Sequence, residues 1–162
     1  MVDTPTELGL DCELRSVDQS GETIANAVRR IVHDHVSGWS ITLNQSPQER
    51  RRKKRMWNRR SHQRHKLRRT VWVSEATWGR TVAGRRELLI TPTEMECLTR
   101  DISLQGVGLL SDRAPRKRLV VLEFDTWTGP PLELLVRLHW RKRKQPYEYQ
   151  CGGTILGVIS GR

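Results

Sequence analysis

Two apolar stretches separated by a turn decide the fold. The first is Leu119-Val120-Val121-Leu122-Glu123-Phe124, the turn is Gly129-Pro130-Pro131, and the second runs from Leu132 to Trp140. Short apolar runs bounded by Gly and Pro are typical of buried strands. We therefore predict two strands here, joined by a turn.

More stretches of the same kind flank this pair. Before it lie Thr70–Val73, Leu88–Ile90, Met95–Thr99 and Val107–Leu110, with Pro92 separating the second from the third; after it, beyond a turn at 142–146, lies Tyr147–Ile159. Six or seven short strands with turns between them predict a mostly β domain, a small antiparallel barrel or sandwich. Strands and helices do not alternate, which argues against a doubly wound fold.

One amphipathic helix is predicted before the strands, at about residues 20–36. Its apolar stripe has helical spacing, Ser20 is a suitable N-cap and Gly38 a suitable stop. The stripe consists of Ile24, Val28, Ile31, Val32 and His35. The helix either packs on the β domain or contacts a protein partner or a second copy of the chain. Residues 1–19 are polar without a clear period, which is typical of a loose arm.

Length and composition restrict the class of protein. Leu, Ile, Val and Phe make up 39 of the 162 residues, enough for one folded core. No apolar run approaches the ~18 residues of a membrane span, and the N-terminus resembles no secretory leader. Three widely separated cysteines, Cys12, Cys97 and Cys151, fit a reducing compartment. We therefore expect a cytoplasmic protein without a membrane span.

Positive charge is concentrated in one segment. The net charge is +11, and residues 50–69 hold 12 Lys and Arg and no acid. Like-charged runs stay solvated unless an anion orders them. The segment therefore predicts an anionic partner such as a nucleotide, a nucleic acid or an acidic surface. We divide the chain into an arm with the helix (1–49), a basic linker (50–64) and a β domain (59–160).

Patterns of catalysis and of metal binding are missing from the sequence. It has no Gly-x-Ser-x-Gly elbow, no phosphate loop ending in Gly-Lys-Ser or Gly-Lys-Thr, and no His-Glu-x-x-His. Its histidines and cysteines do not have the spacing of a zinc site. We expect a binding module, not an enzyme, without a metal and without a cofactor.

Two short motifs remain. Asp101-Ile102-Ser103-Leu104-Gln105-Gly106 lies between two predicted strands; by itself it also fits an ordinary turn in which Gly106 adopts a positive φ. Arg-x-x-x-Arg occurs several times in the basic segment, and the pair Arg60 and Arg64 lies just before the first predicted strand of the domain. Arg64 and Arg68 form an alternative pair with the same spacing.

Together the motifs resemble the PilZ domain, a family of bacterial receptors for cyclic di-GMP. The family carries Arg-x-x-x-Arg ahead of its first strand and Asp/Asn-x-Ser-x-x-Gly farther on, similar to Arg60/Arg64 and Asp101/Ser103/Gly106 here. Val136–Trp140 resembles its strand ending in Trp, and Tyr149–Gly152 its closing Tyr-x-x-Gly. The resemblance covers about residues 59–158. The Phe that usually follows the closing Gly is absent, and the long gap from Arg64 to Asp101 implies an extended hairpin around Thr77–Arg86.

The resemblance implies a PilZ-like β-barrel that binds cyclic di-GMP in bacterial second-messenger signalling. It implies ligand contacts from Arg60, Arg64, Asp101, Ser103 and Gly106, with Arg59 and Arg68 as further contacts. Guanidinium groups suit both phosphate and the guanine O6/N7 edge, and a carboxylate accepts from guanine N1–H and N2–H. The ligand is then expected to order the basic segment against the barrel.

Two other functions stay open at this point. A basic arm with Trp57 on a β-barrel also fits a nucleic-acid-binding protein. The other open function is protein binding by a PilZ-like domain that no longer binds the nucleotide. Asp101 distinguishes cyclic di-GMP from nucleic acid as the ligand, because a carboxylate on the binding face favours guanine but repels a polyanion.

Overall fold

The computed structural model describes residues 13–37, 63–127 and 129–160. In chain order this part contains β1 (Glu13–Asp18), α1 (Gly21–Ser37), β2 (His65–Lys66), β3 (Thr70–Arg80), β4 (Arg86–Ile102), β5 (Gly106–Ser111), β6 (Leu119–Phe124), β7 (Leu132–Gln145) and β8 (Glu148–Ser160). The mostly β fold with an N-terminal amphipathic helix is thus confirmed. No helix within these ranges has both the length and the apolar character needed to cross a membrane.

Six of the strands close into an antiparallel ring. Going round it, the order is β4, β3, β6, β7, β8, β5 and back to β4. The short β2 pairs with the end of β4, and β1 pairs with both β4 and β8. The extended hairpin predicted around Thr77–Arg86 is formed by β3 and β4.

The apolar stretch that decides the fold is buried on both faces. Val120, Leu122 and Phe124 belong to the larger core cluster, which also includes residues of α1. Val121, the residue between them, belongs to a second cluster. Because successive side chains of a strand point to opposite faces, a strand covered on both sides is apolar throughout. This explains why β6 lacks a polar alternation.

Three expectations about the chain path are wrong. The turn expected at 142–146 is confined to Pro146 and Tyr147, because β7 stays paired with β8 up to Gln145. Residues 13–18, expected in a loose arm, form β1, whose backbone is held by strand pairing to β4 and β8. Pro92 does not split β4 into two strands. The β3–β4 pairing is irregular between Val73 and Glu75, opposite the segment that holds Pro92. A proline has no N–H to donate, so it is tolerated where the ladder is interrupted.

The helix starts as predicted, and its apolar stripe packs on the ring. The Thr23 N–H donates to Ser20 Oγ at 3.2 Å, so Ser20 is the N-cap. Val28 and Ile31 are fully buried in the larger core cluster. Gly38 lies outside the described residues, as does most of the basic linker. Ile24 and Val32 pack against the same cluster but are only partly buried, and contact of this helix with a partner or second copy stays a prediction.

Candidate ligand-binding face

A β-bulge near the end of β4 creates the candidate site. Thr99 pairs with Leu109 and Asp101 with Gly108, so Arg100 is an extra residue in β4. A bulge redirects side chains, and here Arg100 and Asp101 both lie beside the same neighbour. A Cβ at Gly108 would lie 3.1 Å from Asp101 Oδ1 and 3.3 Å from Arg100 Nε. Two consecutive residues thus contribute opposite charges to one face of the ring.

The carboxylate of Asp101 is held by two arginines. Arg64 Nη1 donates to Asp101 Oδ1 at 2.6 Å, and Arg100 Nε donates to Asp101 Oδ2 at 2.8 Å. The Asp101 side chain is 14% exposed, against 32% for that of Arg64. A carboxylate shielded in this way interacts more strongly with cations and donors than a fully hydrated one. The cluster therefore combines an anionic acceptor with two planar donors.

Glycines leave the middle of this face flat. Across the strands, Asp101 pairs with Gly108, Gly108 with Gly152, and Gly152 with Trp140. A Cβ at Gly152 would lie 2.5 Å from the Trp140 ring, so the indole rests directly on the Gly152 backbone. The Arg100 guanidinium lies 5.9 Å from the centre of that ring. The result is a platform of planar groups close to the backbone.

The segment that carries Arg64 is anchored to β4. Leu67 is 1% exposed, and its N–H donates to Arg100 O at 3.2 Å. The fully buried Thr99 hydroxyl bonds to Leu67 O at 3.0 Å and accepts from the Arg69 N–H at 2.9 Å. The chain from Gln63 to Arg69, which we call the lead-in, is therefore fixed next to Asp101.

Ser103 and Gly106 form the turn between β4 and β5. The Ser103 side chain is buried, and its hydroxyl accepts from the Gly106 N–H at 3.2 Å and from the Gln105 N–H at 3.4 Å. Gly106 is required by close packing, because a Cβ there would lie 2.6 Å from Gly153 O. Both residues shape the turn beside Asp101. Their direct contact with a ligand stays a prediction.

The remaining predicted contacts divide into two groups. Arg59 and Arg60 lie outside the described residues, so their contribution stays a prediction. Arg68 is exposed on the lead-in, next to the buried Leu67. The sequence motifs did not reveal Arg100, because the bulge that turns it towards Asp101 depends on strand pairing. Gly108 and Gly152 were a usable signal, since glycine within a strand often marks a bulge or a close approach.

An open groove borders the site on the side of α1. Its volume is about 400 Å³. It lies between the helix, the start of the lead-in and the β4–β5 turn, and it is lined by Val28, Arg29, Val32, His33, Gln63, His65 and Leu104. His65 follows Arg64 directly, so the lead-in contributes to both the groove and the Asp101 cluster.

The described residues, 13–37, 63–127 and 129–160, contain no cluster of metal ligands. Within these ranges no three side chains of His, Cys, Asp or Glu come together as a metal site would require. Comparison of the whole chain with protein-family models, with curated proteins and with solved structures returned no match. The face around Asp101 is therefore the feature of this chain from which a function is inferred.

Proposed function

We propose that the face around Asp101 binds cyclic di-GMP, and that the chain is a PilZ-like β-barrel receptor of this second messenger. The observation that carries the proposal is the contact between Arg64 and Asp101. The first residue directly precedes β2 and the second opens the Asp-x-Ser-x-x-Gly motif, yet their side chains meet at 2.6 Å. Arg64 and Asp101, one residue from each motif and 37 positions apart, thus lie on one glycine-lined face.

The chemistry of the face suits both parts of this ligand. The Arg64 and Arg100 guanidinium groups offer paired donors for a phosphodiester or for the O6/N7 edge of guanine. The Asp101 carboxylate accepts the N1–H and N2–H donors of the opposite guanine edge. Trp140, 42% exposed, offers a flat ring beside them on which a base can stack.

Binding exchanges one set of partners for another. In the free protein both guanidinium groups are hydrogen-bonded to Asp101. A ligand that supplies phosphate oxygens to the arginines and donors to the carboxylate replaces each bond by an equivalent one. The exchange leaves no buried charge without a partner, which would be costly.

Calorimetric titration of cyclic di-GMP tests the proposal. We expect saturable binding to the wild type and an affinity at least about tenfold lower for each of Arg64→Ala, Asp101→Ala and Arg60→Ala, equivalent to about 1.4 kcal/mol for a charge-assisted bond. Arg85→Ala in the β3–β4 turn and Asp112→Ala after β5 remove the same side chains elsewhere and serve as matched controls. Absence of binding to the wild type at high micromolar ligand would overturn the proposal.

The salt dependence of binding and the effect of substituting Asp101 distinguish a nucleic-acid ligand from cyclic di-GMP. Binding of a polyanion falls steeply with salt, whereas a ligand with two charges responds less. Asp101→Asn removes a charge that repels phosphates, so it should strengthen binding of a polyanion and weaken binding of cyclic di-GMP. Stronger binding of a single-stranded oligonucleotide than of cyclic di-GMP to the wild type would favour the nucleic-acid function.

Ordering of the basic segment by the ligand is expected in only part of that segment. The lead-in is already bonded to β4 without ligand, so we expect added protection mainly in residues 50–62. Hydrogen exchange with and without cyclic di-GMP measures it. Equal protection of residues 50–62 in both states would refute this ordering, while the titrations above would still decide whether the ligand binds.

A further inference from the structure

The hairpin of β7 and β8 extends beyond the ring. Pairing between β6 and β7 ends at Leu119, the first residue of β6, which lies opposite Arg137. Strand β7 continues beyond this pair to Gln145. On the other side, β5 accompanies β8 up to the pair Ser111–Tyr149, one residue from the start of β8 at Glu148. Residues 144–148 therefore lie beyond both neighbouring strands, and we call Arg141–Tyr149 the hairpin end.

This hairpin end is strongly cationic. Its residues Arg141, Lys142, Arg143 and Lys144 are all exposed. The neighbouring β5–β6 connection adds Arg113, Arg116, Lys117 and Arg118. Arg141 joins the two, because its guanidinium donates to the backbone oxygens of Pro115 and Arg116. The acids in these segments are Asp112 and Glu148, so the positive charge dominates.

Cations lie on both faces of the hairpin. Arg141 turns towards the β5–β6 connection on one face. Lys142 is the next residue, and it pairs with Gln150, whose side chain contacts Arg100 on the other face. Neighbouring side chains of a strand point in opposite directions. Positive charge therefore surrounds the hairpin instead of following one groove.

An exposed tyrosine occupies a strained position at the tip. Pro146 and Tyr147 form the two-residue turn between Gln145 and Glu148, and Tyr147 has φ 64°. Gly or Asn is usual at such a position, and strain of this kind is often associated with function. Tyr147 is 84% exposed. An amphipathic ring beside several cations is typical of groups that sit at a membrane–water interface.

We propose that the tip of the β7–β8 hairpin docks end-on to an anionic membrane surface. Tyr147 enters the headgroup region, and the surrounding lysines and arginines contact lipid phosphates. A plane of negative charge matches cations distributed on both faces of a projecting hairpin. Single-stranded nucleic acid is a poorer match, because it is bound along a groove whose floor carries stacking aromatic rings.

Sedimentation with phosphatidylcholine vesicles that contain phosphatidylglycerol tests the proposal, with pure phosphatidylcholine vesicles as the blank. Tyr147→Asn changes no charge and suits the positive φ, so it should fold as well as the wild type and lose partitioning. Tyr147→Trp should retain it. Lys142→Gln with Lys144→Gln should weaken partitioning about fivefold for each lysine.

The basic segment requires its own control, since it also attracts anionic lipid. Lys53→Gln with Lys54→Gln removes the same two charges there. The proposal is overturned if this pair weakens partitioning as much as the hairpin pair, or if Tyr147→Asn partitions like the wild type. It is also overturned if Tyr147→Asn weakens binding of a single-stranded oligonucleotide but not of vesicles, which assigns the tip to nucleic acid.

Discussion

The lead-in and the tip of the β7–β8 hairpin are both rich in cations, but only the lead-in is anchored to the core. The lead-in alternates exposed cations with the buried Leu67, and its backbone bonds to the buried Thr99. The hairpin tip has no buried apolar residue from Arg141 to Tyr147, and its side chains are exposed. Charge is common to the two segments, and internal anchoring distinguishes them.

The difference shows what makes a cationic segment selective. Arg64 is directed at Asp101, so a ligand there must satisfy a carboxylate as well as cations. The hairpin presents cations without such a carboxylate among Arg141–Lys144, which suits any dense negative surface. We therefore expect the first arrangement to discriminate between ligands and the second to respond mainly to charge density. Substitutions of the anchoring residues in the lead-in should therefore lower stability. Substitutions at the hairpin tip should change binding with little effect on stability.

The largest effect on stability is expected for Leu67→Ala in the lead-in. Loss of a fully buried leucine side chain costs about 2–5 kcal/mol, from lost burial and from the cavity left behind. Urea denaturation measures the change in the free energy of unfolding. Tyr147→Asn at the hairpin tip is the control, and it should stay within about 0.5 kcal/mol of the wild type. Equal losses in both variants would show that the lead-in is no better anchored than the hairpin.

The anchored parts of the fold were the predictable ones. The apolar runs of β5, β6 and β8 predicted strands because burial requires apolar side chains in sequence. Residues 13–18 carry no such run, and β1 is held by backbone pairing to two strands distant in the chain. The pattern of side chains in a sequence contains little information about backbone pairing between strands that are distant in the chain.

The site was predictable only in part for the same reason. Arg64 and Asp101 were identified from motifs, and their side chains meet. Arg100 was missed because it is itself the extra residue of the bulge, and its place beside Asp101 depends on the register of β4 against β5. Ser103 was assigned to the ligand from its motif, but its hydroxyl is bonded to the turn. Sequence motifs identify residue types, and the strand register determines their partners.

The second largest effect is expected for Thr99→Val. The substitution keeps the shape of the side chain but removes the hydroxyl that bonds to the backbone of Leu67 and Arg69. Buried backbone groups left without partners cost about 1–3 kcal/mol. The matched control is Thr154→Val in β8, whose hydroxyl contacts His139 at an exposed position. Thermal unfolding should show a lower Tm for Thr99→Val alone; a similar fall for Thr154→Val would contradict the assigned anchoring.

A smaller effect on stability is expected for Asp101→Asn. Its ion pairs are partly exposed, and such pairs contribute roughly 0–1 kcal/mol. The free energy of unfolding should therefore change by less than about 1 kcal/mol, whereas the proposed function predicts that the affinity for cyclic di-GMP falls at least about tenfold. Chemical denaturation and calorimetry on the same preparations separate the two quantities. A loss of stability above about 2 kcal/mol would mark Asp101 as an anchor of the lead-in and not as a ligand-binding carboxylate.

Among the described residues, two buried cysteines lie next to the two segments and allow them to be compared. Cys97 pairs with Val71 just after the lead-in, and Cys151 pairs with Arg141 at the base of the hairpin end. Burial raises the pKa of the Cys97 thiol to about 12. Burial also raises the pKa of Cys151, and the nearby Arg141 cation opposes that increase.

Because the thiolate is the reactive form, Cys151 should be alkylated faster than Cys97 at mildly alkaline pH. Both rates should rise with pH, since the thiolate fraction increases up to the pKa of each thiol. Mass spectrometry of peptides after timed iodoacetamide treatment measures both rates, and Arg141→Gln should slow only Cys151. Faster modification of Cys97 would mean that the β4 edge under the lead-in opens more readily than the hairpin base, which would reverse the comparison of the two segments.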